Sequence, residues 1–132
     1  MTTESAPDGT PAATIIIFRK GPQGGPPEVL MTVRASAMAF AGGRAVFPGG
    51  RVDPEDRALA ARLARDGARA IDPDEAAHRI AAVRETLEET GLALGPVGAI
   101  DAERAAAARA MLMREAALTP VLEAFGWQLD LD

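Results

Sequence analysis

The chain has 132 residues, 48% hydrophobic and 25% charged, a balance that suits one folded domain with a single core and excludes a disordered chain. A net charge of -5 argues against a broad electrostatic grip on nucleic-acid backbone, and the lack of cysteine excludes a disulfide framework, a thiolate zinc site and a cysteine nucleophile. No run approaches the ~20 apolar residues of a membrane span and no basic, apolar leader opens the chain, so no membrane partner and a cytoplasmic address are expected by elimination.

Residues 1–12, rich in Thr, Ser, Pro and Asp, read as a flexible tail, with a single domain expected over residues 13–132. Thr14–Arg19 (TIIIFR) and Val29–Arg34 (VLMTVR) are short apolar or β-branched runs joined by a glycine- and proline-rich connection, the pattern of a hairpin. Ala45–Phe47 predicts a third strand that stops at Pro48-Gly49-Gly50. There proline and glycine interrupt a regular ladder and let another group approach the backbone.

Asp53-Pro54-Glu55-Asp56 has the order of an N-cap, a proline at the first helical position and an acidic first turn, predicting a helix to about Arg65 that stops at Gly67. Asp72-Pro73-Asp74-Glu75 repeats the signal. In the helix that follows, Ala76, Ile80, Val83 and Leu87 form one buried stripe, and Gly91 is placed as its C-cap. Residues 101–125 read as a helical cap, and Gly126–Asp132 as a last short strand or a frayed end. Met111, Met113 and Trp127 read as packing residues, and His78 as an exposed helix histidine.

Glu85, Glu88 and Glu89 stand at i, i+3 and i+4 on this second helix and project from one face, opposite the apolar stripe. Without interleaved lysines they repel one another, and a divalent cation would turn that repulsion into binding. Hard oxygen donors suit Mg²⁺ or Mn²⁺, which bridge a few carboxylates to substrate phosphates. An acidic solvated face is the plain alternative for an isolated E-x-x-E-E.

The surrounding order decides against that alternative. Phe47-Pro48-Gly49-Gly50, an acidic turn, and Arg84-Glu85-Thr86-Leu87-Glu88-Glu89-Thr90-Gly91-Leu92 together resemble the Nudix box, G-x5-E-x7-R-E-U-x-E-E-x-G-U with U apolar. Asp56 falls where the family has Glu, and Thr86 where an apolar residue is usual. Residues 57–83 give 27 positions between the halves against seven in the pattern, an insertion of 20 residues.

The resemblance implies a Nudix-type α/β/α sandwich with a mixed sheet and a helical insertion. It implies metal-dependent hydrolysis of a diphosphate bond, with Mg²⁺ or Mn²⁺ held by Glu85, Glu88, Glu89 and the Gly49 carbonyl. Arg84 would orient the carboxylates through a salt bridge to Asp56, a bridge that the shorter Asp side chain puts in question. Arg84, Glu85, Glu88 and Glu89 are therefore the catalytic candidates.

The preceding segment is similar to coenzyme A diphosphatases, which show L-L-T-x-R-(S/A)-x3-R-x3-G-x3-F-P-G-G. Leu30, Met31, Thr32, Arg34, Ala35, Gly43 and Phe47–Gly50 fall in register, while Ala39 replaces the second Arg. That resemblance implies coenzyme A or acyl-coenzyme A as substrate, with Arg34, Phe47, Gly49 and Gly50 in the substrate-binding set. Loss of the cationic fork at position 39 keeps nucleotide sugars, dinucleotides and oxidised nucleotides open. A non-catalytic or truncated Nudix-fold nucleotide-binding module is the rival class, against which retention of the motif carboxylates argues. Family members gain strands after the motif helix, whereas residues 101–125 read as helical. This chain is thus expected to lack C-terminal strands, with an exposed edge that a homodimer would cover.

Overall fold

Short apolar runs broken by glycine and proline leave room only for brief ladders. The computed structural model describes residues 9–34, 43–66 and 71–132, and places four two-stranded antiparallel ladders among them. Strand β1 (Ala12–Thr14) pairs with β6 (Gly49–Arg51), β2 (Phe18–Arg19) with β3 (Glu28–Val29), β4 (Thr32–Val33) with β5 (Ala45–Val46), and β7 (Pro96–Val97) with β8 (Gln128–Leu129). The first hairpin closes as expected, with Phe18 opposite Val29 and Leu30 N–H donating to Ile17 O at 2.9 Å. The expectation for residues 1–8 lies outside the described residues, as do Ala35, Ala39 and Gly67. The described chain is engaged slightly before Ala13, since β1 begins at Ala12 and Pro11 O accepts from Val52 N–H at 2.9 Å.

The helices start and stop where side-chain chemistry satisfies their open ends. In α1 (Pro54–Arg65) the Asp56 carboxylate accepts from Asp53 N–H at 2.8 Å, and in α2 (Pro73–Thr90) the Asp72 carboxylate accepts from Glu75 N–H at 3.1 Å. Gly91 ends α2 at φ +78°, a left-handed conformation that costs glycine nothing, with its N–H donating to Leu87 O. Asp101 caps α3 (Ala102–Glu115), and α4 (Leu118–Phe125) follows after two residues.

The stripe expected on α2 is buried throughout: Ala76, Ile80, Val83 and Leu87 enter the core with Leu59, Leu112, Leu118 and Val121. Each fully buried aliphatic side chain there contributes about 1.5–3 kcal/mol relative to exposure. Trp127 closes one end, its Nε1–H donating to Ala99 O at 3.0 Å and its ring centroid 5.0 Å from that of Phe125. Helix α2 packs against α1 on one side and against β1 and β6 on another, so it joins the helical layer to the ladders. Among the strand residues, Phe18 and Val33 remain 72% and 73% exposed.

Two expectations are corrected. Gly49 and Gly50 do not interrupt the ladder but form β6, because β1 approaches so closely that a Cβ on Gly49 would lie 2.2 Å from Ala13 O. Met113 is 60% exposed, on the outer side of α3, and is not a packing residue in this chain. Pro96-Val97, which carries no strand signal in the sequence, pairs with the last strand in a two-stranded ladder, where one edge is free. The parallel part of the expected mixed sheet is not among the described residues.

Candidate active site

The two halves of the motif, separated by the insertion, meet at one side chain. Arg84 is 4% exposed and donates from Nε to Asp56 Oδ1 and from Nη2 to Asp56 Oδ2, both at 3.0 Å. This two-pronged bond joins α1 to α2 across 28 residues of sequence, and Asp56 itself is only 1% exposed. The bridge questioned because of the shorter Asp side chain therefore forms. The first turn of α1 carries Asp56 inward, where its carboxylate reaches the Arg84 guanidinium.

Arg84 also donates to Arg51 O at 2.9 Å and to Glu85 Oε1 at 2.9 Å, with Asp53 Oδ2 at 3.3 Å and Glu88 Oε2 at 3.9 Å. Burial opposes its charge, but the hydrogen bonds and charge of Asp56, aided by Glu85 and Asp53, prevail and raise the guanidinium pKa. Arg84 is a permanent cation at the floor of the carboxylate cluster.

One guanidinium facing Asp53, Asp56, Glu85 and Glu88, with Glu89 alongside, leaves the cluster short of positive charge. Glu85 is largely buried within this cluster. Burial pushes its pKa up, Arg84 opposes, Glu88 and Glu89 add to the rise, and the value reaches about 7. Its side chain is 16% exposed, whereas that of Glu88 is 37% exposed.

The glycine pair explains how these carboxylates fit beneath the strands. A Cβ on Gly50 would stand 2.5 Å from Glu85 Cδ, so Glu85 occupies the space that any larger residue would fill. Gly49 N–H donates to Glu89 Oε2 at 3.2 Å. Among the described residues no three His, Cys, Asp or Glu side chains form a closed metal cage as they stand. Glu85 is turned toward Arg84 and Glu89 toward the Gly49 amide, which spreads the three oxygen donors. Their chemistry, all hard oxygen on one face with unmet demand for positive charge, nonetheless fits a divalent cation.

Beside the cluster lies an open groove of about 830 Å³ lined in part by Thr32, Arg34, Phe47, Gly49, Gly50 and Glu89. Every residue expected to bind substrate thus borders one groove with one of the carboxylates. Its volume lies within the ~300–1,000 Å³ usual for small-molecule sites. Arg34 is half-buried at its rim, with its N–H donating to Arg44 O at 3.0 Å, while Arg44 is exposed. A smaller apolar pocket of about 430 Å³ near Leu63, Ile71 and Leu131 holds no motif residue. His78 is apart from the site, its Nδ1 2.7 Å from Asp74 O.

Three contributors escaped the sequence. The sequence marks Asp53 only as a helix cap, though its carboxylate also faces Arg84. Arg51 acts through its carbonyl, which no side-chain pattern reveals. Thr86, at a position usually apolar, is fully buried and donates its hydroxyl to Ala82 O at 2.7 Å, which satisfies the polar group within the helix.

The chain is similar to the crystal structure of NUDIX hydrolase from Alicyclobacillus acidocaldarius, with a TM-score of 0.71 and 32% sequence identity over 94% of this chain. The match spans 58% of that protein's chain. No protein-family model matches the sequence, and neither does a curated protein. No described helix is long and apolar enough to cross a membrane.

Proposed function

We propose that this chain, which has the Nudix-type α/β fold, is a Nudix hydrolase domain that cleaves a diphosphate bond in a nucleoside diphosphate derivative. The observation that carries the proposal is the buried Arg84–Asp56 clamp beneath Glu85, Glu88 and Glu89, rebuilt across a 20-residue insertion. An acidic solvated face needs no buried guanidinium at its floor and no glycine pair shaped to receive it. The solved relative supports the same reading through its fold and its printed activity as a hydrolase.

Glu85, Glu88 and Glu89, with the Gly49 carbonyl, are the residues that would hold Mg²⁺ or Mn²⁺. When bound, such an ion neutralises diphosphate charge and lowers the pKa of a coordinated water. Arg84 keeps Glu85 oriented and, as a permanent cation, limits repulsion within the cluster. Gly49 and Gly50 bring the strand backbone against Glu89 and Glu85, so the groove floor and the carboxylates share one edge. Arg34 at the groove rim supplies positive charge for a phosphate, and the half-exposed Phe47 ring supplies an apolar wall for an organic group.

Coenzyme A or acyl-coenzyme A is the preferred substrate in this proposal, on the run Leu30-Met31-Thr32, Arg34, Gly43 and Phe47–Gly50. Products would be adenosine 3',5'-bisphosphate and a phosphopantetheine. Ala39 in place of a second Arg favours a competing reading, in which a nucleotide sugar, a dinucleotide or an oxidised nucleotide is cleaved. Mass spectrometry of products from coenzyme A, acetyl-coenzyme A, ADP-ribose and NADH with Mg²⁺ separates the two. Preferred release of the 3',5'-bisphosphate supports the first, and cleavage confined to the others supports the second.

A further inference from the structure

The last turn of α2 carries Glu88 and Glu89, and its final carbonyls need partners from outside the regular helix ladder. Leu87 O accepts from Gly91 N–H at 3.0 Å. Thr86 O accepts from Thr90 Oγ1 at 2.6 Å, and that hydroxyl accepts from Leu92 N–H at 3.1 Å. Glu88 O accepts from Arg109 Nε at 2.7 Å, a bond that comes from α3 and spans 21 residues.

Arg109 is fixed from its own side as well. Its neighbours Ala105, Ala108 and Leu112 are buried and anchor α3, and its Cδ lies 3.9 Å from where a Cβ on Gly91 would stand. Glu85, one turn earlier, is held by Arg84 and by contact with Gly50. Among the described residues the Glu88 carboxylate has only the distant 3.9 Å approach to Arg84, so its place on the carboxylate face depends on the backbone of the last turn.

We infer that Arg109 is a positioning residue for the metal-holding carboxylates: by binding the Glu88 carbonyl it holds the Glu88–Gly91 turn so that Glu88 and Glu89 share a face with Glu85. The inference rests on the hydrolase reading of the site. It also assigns a purpose to the helix after the motif, which ties the carboxylate face to the rest of the core.

A simple helix cap would change stability alone, so metal binding is the discriminating measurement. Mn²⁺ titrations followed by electron paramagnetic resonance, without substrate, compare the wild type with Arg109→Ala, Arg109→Met, Arg109→Lys and Arg104→Ala. Arg104 is on the same helix, paired with Asp101, and serves as the control. The two variants lacking the donor are expected to bind Mn²⁺ roughly tenfold more weakly, the loss typical of residues behind a metal's ligands. Arg109→Lys, which retains charge and a donor, is expected to recover most of the affinity, and Arg104→Ala to match the wild type. Arg109→Met preserves the packing of the stem should the Ala variant fold poorly. Wild-type affinity in a folded Arg109→Met variant, or equal weakening in Arg104→Ala, would overturn the inference and leave the hydrolase reading intact. A wild type that binds no Mn²⁺ would overturn both.

Discussion

Replacing Asp56 with Asn tests the clamp on which the site is built. The wild-type carboxylate accepts from Asp53 N–H, Arg84 Nε and Arg84 Nη2. An amide supplies one accepting oxygen and turns an NH₂ group toward a donor, while the Arg84 charge remains buried. Breaking a buried ion pair from one side costs about 3–5 kcal/mol. Arg84 retains Glu85 at 2.9 Å, Asp53 at 3.3 Å and the Arg51 carbonyl, which reduces the expected loss to about 2–4 kcal/mol. Urea unfolding at pH 8 in EDTA measures it directly, and a fall in Tm of roughly 10 °C is the thermal counterpart. Asp56→Glu, which restores the residue usual in the family, is expected to be destabilising as well, by about 1–3 kcal/mol, because the added methylene enters a site that is already closed. A loss below about 0.5 kcal/mol in Asp56→Asn would refute the reasoning, since surface changes are of that size.

Gly50→Ala is expected to displace Glu85 and weaken Mn²⁺ binding by at least about tenfold in a titration, whereas Gly49→Ala, whose Cβ meets backbone rather than a side chain, is expected to destabilise the β1–β6 pair in urea unfolding. The raised Glu85 pKa gives metal-free protein a definite pH trend. Its folded value of about 7 exceeds the usual 4.5, so the folded state holds the extra proton between them. The associated stability is full below pH 4.5 and is lost as pH rises through 7, and Glu85→Gln should flatten that part of the urea-stability profile. Metal binding near pH 6 should release a proton, so apparent Mn²⁺ affinity should climb toward pH 8, as paired calorimetric titrations in two buffers would report.

The helices were legible because their signals are local. Asp53-Pro54 and Asp72-Pro73 give two starts, Gly91 a stop, and the Ala76–Leu87 stripe a buried face. The strands were harder to read, since most span two residues and are defined by partners rather than by their own pattern. Gly49-Gly50 looks like an interruption until β1 is brought alongside. The carboxylates were visible through their spacing on one helix. Burial of Arg84 was not, because it depends on how far the insertion returns Asp56 toward α2, and neither was Arg109, whose bond is to a backbone carbonyl and leaves no side-chain pair in the sequence.

The central claim is metal-dependent diphosphate hydrolysis by this carboxylate face. Its most direct test is hydrolysis of the coenzyme A and nucleotide panel by the purified chain and its Glu88→Gln variant, with Mg²⁺ and with EDTA. The account predicts cleavage at a diphosphate bond that needs Mg²⁺ and falls by at least about a hundredfold in the variant, the scale of losing a group that stabilises transition-state charge. Cleavage that persists undiminished in Glu88→Gln or in EDTA, or no cleavage of any panel member by a folded wild type, would contradict it.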